Sequence, residues 1–156
     1  MDPGGILTDP ARPGYRFAFE ISGNHGNPKG NPLPKKRFTM RQHRFNPAAK
    51  EYHEYLDFVR GVFYNSALVG GRINHKQFRE FFYGLGPKPL RTEKKKCRMD
   101  IFITWGSGNH GDPENVFGAI ADALFADDKY LSGGFDFAEE IDPKGGKVAV
   151  RIFIPA

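Results

Sequence analysis

The sequence predicts a compact mixed α/β fold in which one small sheet carries packed helices. Three segments alternate apolar with polar or small residues, which is the two-residue period of a strand that buries one face. Two other segments place apolar residues every three or four positions, as amphipathic helices do. With 156 residues, 39% of them hydrophobic, the chain is long enough for a single domain with its own core. We expect residues 1–14, which are rich in Gly, Pro and Asp, to form a loose leader and residues 15–156 to form the domain.

The predicted strands are recognised by this alternation. In the last of them Val148, Val150 and Ile152 line one face, and Ala149 and Arg151 fall between them. The same pattern occurs twice earlier in the chain. We predict strands over residues 15–21, 97–105 and 146–154.

The predicted helices begin where an Asn or Asp is followed by Pro. Asn46-Pro47 and Asp112-Pro113 each supply a side chain that can cap a helix and a proline that suits the first helical position. Apolar residues at helical spacing follow each pair. We predict helices over residues 47–64 and from residue 112 onward, and a short third helix over residues 75–85.

The charge and composition exclude several classes of protein. Lys and Arg total 23 against 18 Asp and Glu, so the formal net charge of +5 permits a polyanionic partner such as a nucleic acid. A single cysteine excludes an intrachain disulfide. The sequence shows neither a signal peptide nor an apolar run of the roughly 20 residues that a membrane span requires. We therefore expect a cytoplasmic protein that does not associate with membranes.

Basic residues concentrate after the first predicted strand. Residues 22–46 contain six Lys or Arg and no acidic residue, and two phenylalanines lie among them. Such a run can simply be a solvated surface, but this composition favours contacts to nucleic-acid phosphates. A second cluster at residues 94–96 either contacts phosphates or protects a strand edge. The predicted nucleic-acid-binding residues are Lys29, Lys35, Lys36, Arg37, Arg41, Arg44, Lys94, Lys95 and Lys96, of which the first six, within residues 29–44, are called the basic arm below.

Carboxylates cluster around the helix that begins at residue 112. Asp112 and Glu114 stand at its start, and Asp128, or alternatively Asp127, could return to the same point after the helix ends. Three oxygen ligands from separate positions suit Mg²⁺ or Mn²⁺, with a phosphate and waters completing the coordination. The alternative is that Asp112 and Glu114 serve only to cap the helix and to interact with its dipole.

Two neighbours of these carboxylates are candidates for supporting functions. His110 could ligate a metal or carry protons, or it could be an ordinary hydrogen-bonding residue of a loop. Asn115 could position a carboxylate or a backbone group.

A seven-residue pattern occurs twice in the chain. SGNHGNP at residues 22–28 and SGNHGDP at residues 107–113 differ only at the sixth position. The pattern marks two loops at one end of the sheet, or it is turn chemistry that arose twice, since Gly and Asn favour turns.

Three blocks of the sequence, taken in order, carry a family resemblance. They are GNPLPKKRF at residues 30–38, NPAAKEY at 46–52, and the acidic set DPEN at 112–115, DAL at 122–124 and DDK at 127–129. They resemble the Pro-rich basic segment, the start of the first helix and the acidic signature of RusA-type Holliday-junction resolvases, a family of bacteria and phages. The resemblance extends from about residue 15 to residue 154.

The resemblance implies a homodimer that binds four-way DNA junctions, nicks two strands symmetrically and needs no small-molecule cofactor. At the matching positions Asp112, Glu114 and Asp128 would hold Mg²⁺ or Mn²⁺, which would activate a water for attack on phosphorus. The chain departs from the family at Glu114, where Asp is usual, and at Gly118, where a lysine is common. Lys129 is the nearest lysine in the sequence that could replace it.

Two other functions stay open from the sequence. One is a less selective nuclease that cuts flaps, Y-structures or single strands. The other is a junction-binding protein whose catalytic site has decayed and whose carboxylates only cap a helix.

Overall fold

A four-stranded mixed sheet forms the frame of the protein, and two helices pack on it. The computed structural model describes residues 13–37, 39, 46–69, 90, 95–126 and 128–155. Its elements are β1 (Gly14–Ser22), α1 (Pro47–Tyr64), β2 (Arg98–Thr104), α2 (Pro113–Leu124), β3 (Ser132–Phe137) and β4 (Lys147–Pro155), with a short π-helical turn, Asn65–Val69, after α1. The predicted mixed α/β fold is confirmed.

The strand order is β1-β4-β2-β3. The central strand β4 pairs antiparallel with both β1 and β2, whereas β2 pairs in parallel with β3. A parallel pair needs a crossover connection, and α2 provides it between β2 and β3. The chain therefore leaves β2 at one end of the sheet and begins β3 at the other.

The three predicted strands are confirmed, but β3 was not predicted. Its sequence, SGGFDF, has only two apolar side chains, and five of its six residues are exposed. A strand that buries one face must alternate apolar with polar residues, and this alternation is what makes strands predictable. An exposed edge strand has no buried face and need not show it.

The core lies between the sheet and the two helices. The register of the strands brings Phe17, Ile152 and Met99 side by side on one face, and Ile21, Val148 and Ile103 likewise. These six side chains are at most 4% exposed. The core residues that α1 and α2 add to this face are Ala49, Tyr52, Tyr55, Leu56, Val59, Phe63, Val116, Ala119, Ile120, Ala121, Ala123 and Leu124.

Some predictions fall on residues that the structure does not describe. The predicted helix over residues 75–85 lies outside the described ranges, as do residues 1–12 of the predicted leader. Within the described ranges, none of the helices combines the length and apolar character that a membrane crossing requires.

Candidate functional site

Two loops leave the sheet at the same end. Ser22, the last residue of β1, and Thr104, the last residue of β2, both pair with Lys147 at the start of β4. The two copies of the seven-residue pattern follow these strand ends, so the interpretation that they mark two loops at one end of the sheet is confirmed. Their local structures differ, since Asn24 Oδ1 accepts from the backbone of Gly26 and Asn27, both at 3.0 Å, in the first loop only.

Asn31 joins the two loops through one amide side chain. Its Nδ2 donates to the carbonyl oxygen of Ser107 at 3.3 Å, to Ser107 Oγ at 2.9 Å and to the carbonyl oxygen of Asn109 at 3.0 Å. Its Oδ1 accepts from the backbone N–H of Gly106 at 2.6 Å. Both ends of the amide are thus used to hold the loop that leads into α2. Nothing in the sequence predicts this function beyond the general density of Asn and Gly.

His110 is held in a fixed orientation in that loop. Its ring stacks on Trp105, with centroids 3.8 Å apart and planes 6° from parallel, and Trp105 itself is buried. His110 Nδ1 lies 2.9 Å from the carbonyl oxygen of Gly111. Because a carbonyl oxygen only accepts, Nδ1 carries the proton in this contact and Nε2 of the neutral ring is left as an acceptor.

The carboxylate of Asp112 is not used to cap α2. Asp112 occupies the N-cap position with extended backbone angles, φ −75° and ψ 143°, but its side chain makes no capping hydrogen bond. Only its carbonyl oxygen takes part, accepting from Asn115 at 3.0 Å and Val116 at 3.1 Å. Capping alone therefore does not account for the acidic side chain at this position.

Glu114 lies in the first turn of α2, two residues beyond Asp112. Both side chains are exposed, and in the described part of the chain neither forms an ion pair or accepts a hydrogen bond. The start of α2 thus presents two exposed carboxylates within its first turn, and Asn115 beside them is exposed too.

Asp128 lies beyond the opposite end of α2. The twelve residues of the helix span about 18 Å at 1.5 Å per residue. Asp128 accepts from Leu131 just before β3, whose first residue pairs with the first residue of β2. Lys129 follows it, with its ammonium 5.7 Å from the centre of the Tyr130 ring.

The predicted set of three carboxylates is therefore not assembled within one described chain. Residues 13–37, 39, 46–69, 90, 95–126 and 128–155 include no group of three or more His, Cys, Asp or Glu placed to hold a metal ion. The physical reason for Asp128 is the parallel pairing of β2 and β3, because the connecting helix must carry the chain away from Asp112. Asp127, the alternative third ligand, lies outside the described residues.

Asp112 and Glu114 nevertheless suit a magnesium ion. Mg²⁺ is commonly bound by one or two carboxylates together with waters and the phosphate of a substrate. Two exposed, unpaired carboxylates match that requirement. Of the three predicted ligands, the described chain therefore places Asp112 and Glu114, but not Asp128, at the start of α2.

The basic arm packs along α2. The backbone N–H of Lys35 donates to the carbonyl oxygen of Asn115 at 2.7 Å. The Lys35 stem covers Gly118, where the resemblance implies a lysine: a Cβ added there would lie 3.1 Å from its Cδ. Lys36 and Arg37 follow and are exposed.

The other predicted basic contacts are divided among three places. Lys29 is exposed in the first loop, at the same end of the sheet as Asp112. Lys95 and Lys96 precede β2 and so lie at the opposite end. Arg41, Arg44 and Lys94 lie outside the described residues.

A buried tyrosine of α1 connects the basic arm to α2. The Tyr52 hydroxyl donates to Asp122 Oδ2 at 3.1 Å, and the backbone N–H of Lys36 lies near it. Burial, followed by the negative charge of Asp122, raises the pKa of Tyr52 above its usual value. Asp122 therefore has a structural function.

Comparison of the sequence with protein-family models and with curated proteins finds no match to either.

Proposed function

We propose that this protein is a metal-dependent, structure-selective endodeoxyribonuclease that resolves four-way DNA junctions by paired nicks. The observation that carries the proposal is the Asp112 carboxylate, which stands at a helix N-cap without capping it. Glu114 lies beside it, and the basic arm is bonded to the same turn of α2. A surface on which carboxylates lie beside a basic strip suits a metal ion and a phosphodiester bound together.

In this proposal Asp112 and Glu114 hold Mg²⁺, or Mn²⁺ in its place, and need no other cofactor. The ion would supply an activated water and stabilise the leaving oxygen of the phosphodiester. The free backbone N–H groups at the start of α2 attract the same phosphate, because helix N-termini carry a partial positive charge.

His110 and Asn115 assist the carboxylates. His110 is fixed by Trp105 and by the Gly111 carbonyl oxygen, so Nε2 of the neutral ring is available to take a proton at a defined position. Asn115 uses its backbone to bind the basic arm, and its exposed side chain adds a neutral hydrogen-bonding group beside the carboxylates.

Symmetric nicking needs two sites, so we propose a homodimer on a branched DNA, as the resemblance implies. The exposed Lys and Arg side chains of the basic arm would contact the phosphates along the DNA backbone. Such contacts position the protein on the DNA without recognising its sequence. Lys95 and Lys96, at the far end of the sheet, would contact a separate part of the branched substrate.

One observation favours a second candidate, a protein that binds junctions without cutting them. Only two carboxylates meet at the start of α2, one fewer than the resemblance implies. Cleavage separates the two candidates, and the choice of substrates separates a junction resolvase from a less selective nuclease.

The test uses a labelled four-way junction beside linear duplex, single-stranded and Y-shaped DNA, with Mg²⁺, Mn²⁺ or EDTA. We expect paired nicks in the junction alone and none in EDTA. Asp112→Asn should lower the rate by about 10²-fold or more, because it removes a charged metal ligand. Asp128→Asn is the matched control, and we expect it to keep the rate within about 3-fold, a change worth less than 1 kcal/mol.

Each other outcome has a distinct meaning. Tight junction binding without cutting would favour the second candidate. A loss with Asp128→Asn as large as with Asp112→Asn would contradict the two-carboxylate site and indicate that a second copy of the chain supplies Asp128. The absence of both junction binding and junction cleavage would contradict the whole proposal.

A further inference from the structure

Lys35 differs from the other described residues of the basic arm. It is half-buried, whereas Lys29, Lys36 and Arg37 are exposed. Its backbone N–H is bonded to the first turn of α2 through the Asn115 carbonyl oxygen, at 2.7 Å. The fold therefore constrains Lys35, whereas the side chains of Lys29, Lys36 and Arg37 extend into solvent.

The Lys35 stem is packed directly on α2. A Cβ added at Gly118 would lie 3.1 Å from Lys35 Cδ, 3.4 Å from its Cβ and 3.9 Å from its Cγ. Three consecutive carbons of the stem thus use the space that a side chain at position 118 would fill. Because Nζ is only two bonds beyond Cδ, the ammonium remains beside this part of α2.

This part of α2 carries a carboxylate on either side of the gap. Glu114, Gly118 and Asp122 are four residues apart in turn, so they form one row along the helix, with neighbouring Cβ positions about 5–6 Å apart. Asp122 is already bonded to Tyr52. Glu114 is unpaired, and the Lys35 ammonium has no ion-pair partner anywhere in the described ranges.

The chain on both sides of Lys35 is also held. On one side a Cβ at Gly111 would lie 2.9 Å from two ring carbons of Pro34, so Pro34 packs against the loop before α2. On the other side the Lys36 backbone N–H lies near the Tyr52 hydroxyl of α1. A cation held in this way loses little conformational freedom when an anion binds it.

We propose that Lys35 binds the phosphate that Asp112 and Glu114 act on, and this inference rests on the nuclease function proposed above. Two carboxylates repel a phosphodiester, and an ammonium whose stem is packed one turn along the same helix would offset that repulsion. The exposed basic residues Lys36 and Arg37 instead contribute to the affinity for DNA of any sequence, through its phosphates.

The test separates rate from affinity on a four-way junction, with cleavage under saturating enzyme in Mg²⁺ and binding in EDTA. Lys35→Met, which keeps most of the stem, should lower the cleavage rate by about 10²-fold. Lys35→Arg keeps the charge and should restore most of that loss. Lys36→Met should mainly weaken junction binding. It should lower by about one the slope of the logarithm of the binding constant against the logarithm of the salt concentration. Lys50→Met, on an exposed position of α1 outside the site, is the unchanged control.

A second variant tests the packing on Gly118. Gly118→Ala leaves Lys35 in the chain but places a Cβ 3.1 Å from its Cδ, so the stem must move by a few tenths of an ångström. We expect a lower cleavage rate with unchanged junction affinity and no loss of thermal stability, because Ala favours a helix more than Gly does.

The outcomes separate the two proposals. Equal losses of rate in Lys35→Met and Lys36→Met, or a full rate in Lys35→Met, would overturn the function of Lys35 and leave the nuclease intact. A wild-type protein that cuts no DNA in Mg²⁺ or Mn²⁺ would overturn the nuclease and, with it, the function of Lys35.

Discussion

The starts of α1 and α2 share a sequence signal but use it differently. Asn46-Pro47 and Asp112-Pro113 both place an acceptor at the N-cap and a proline after it, and both caps have extended backbone angles, φ −86° and ψ 121° at Asn46 and φ −75° and ψ 143° at Asp112. Asn46 Oδ1 accepts from Ala48 at 2.9 Å, whereas the Asp112 carboxylate accepts nothing from its helix. One start is a structural cap, and the other leaves its side chain available for chemistry.

Asp112 at the N-cap of α2 and Asp122 within the helix repeat this contrast. Asp122 is half-buried and bonded to Tyr52, so its charge serves the packing of α1 on α2. Asp112 is exposed and unbonded. A carboxylate with a partner should matter to stability, and one without should matter to activity.

The largest stability effect should come from the bonded carboxylate. Tyr52→Phe removes the hydroxyl and leaves the half-buried Asp122 carboxylate without this donor, which should cost about 2 kcal/mol of unfolding free energy. Denaturant unfolding measures this. Tyr55→Phe is the matched control, because the Tyr55 hydroxyl is buried without a hydrogen-bond partner. Tyr55→Phe should leave the free energy of unfolding nearly unchanged. Equal losses in the two variants would contradict a stabilising function of the Tyr52–Asp122 hydrogen bond.

The same tyrosine predicts how stability depends on pH. The folded pKa of Tyr52 is raised above the 10.0 of an unperturbed tyrosine, so the folded state holds this proton more tightly than the unfolded state. The stability that it contributes is present below pH 10 and is lost as the pH rises above that value. Unfolding free energies measured between pH 9 and 11.5 should fall less steeply in Tyr52→Phe than in the wild type. Parallel curves would contradict the raised pKa.

A smaller effect should distinguish the two helix starts. Asn46→Ala removes a capping hydrogen bond and should cost about 1 kcal/mol. Asp112→Ala removes no such bond, so thermal or denaturant unfolding should show less than half that loss. If Asp112→Ala proved as destabilising as Asn46→Ala, the Asp112 side chain would have a structural function after all.

Much of the fold follows from the sequence, because burial imposes a period. Phe17, Ile21, Val148 and Ile152 alternate since one face of their strands is covered, and the helix starts are marked by Asn46 and Asp112. The edge strand β3 escaped prediction because exposure removes the period and two glycines weaken it.

The site was less predictable, because it depends on contacts between distant segments. The sequence identified Asp112 and Glu114 but placed Asp128 with them, and the parallel crossover through α2 carries Asp128 to the far end. The sequence predicted the basic arm but not which of its basic residues packs on α2. That contact, of Lys35 with Gly118, joins positions far apart in the chain.

The most direct test of the central claim measures stability and junction cleavage on the same preparation of Asp112→Asn. Asparagine is as good a cap as aspartate but a poorer metal ligand. We predict an unfolding free energy within about 0.5 kcal/mol of the wild type, since little more than an exposed charge near the helix dipole is lost. We predict in addition that the rate of junction cleavage falls by about 10²-fold or more. A variant that cuts the junction at the wild-type rate would contradict the claim that the Asp112 carboxylate serves chemistry.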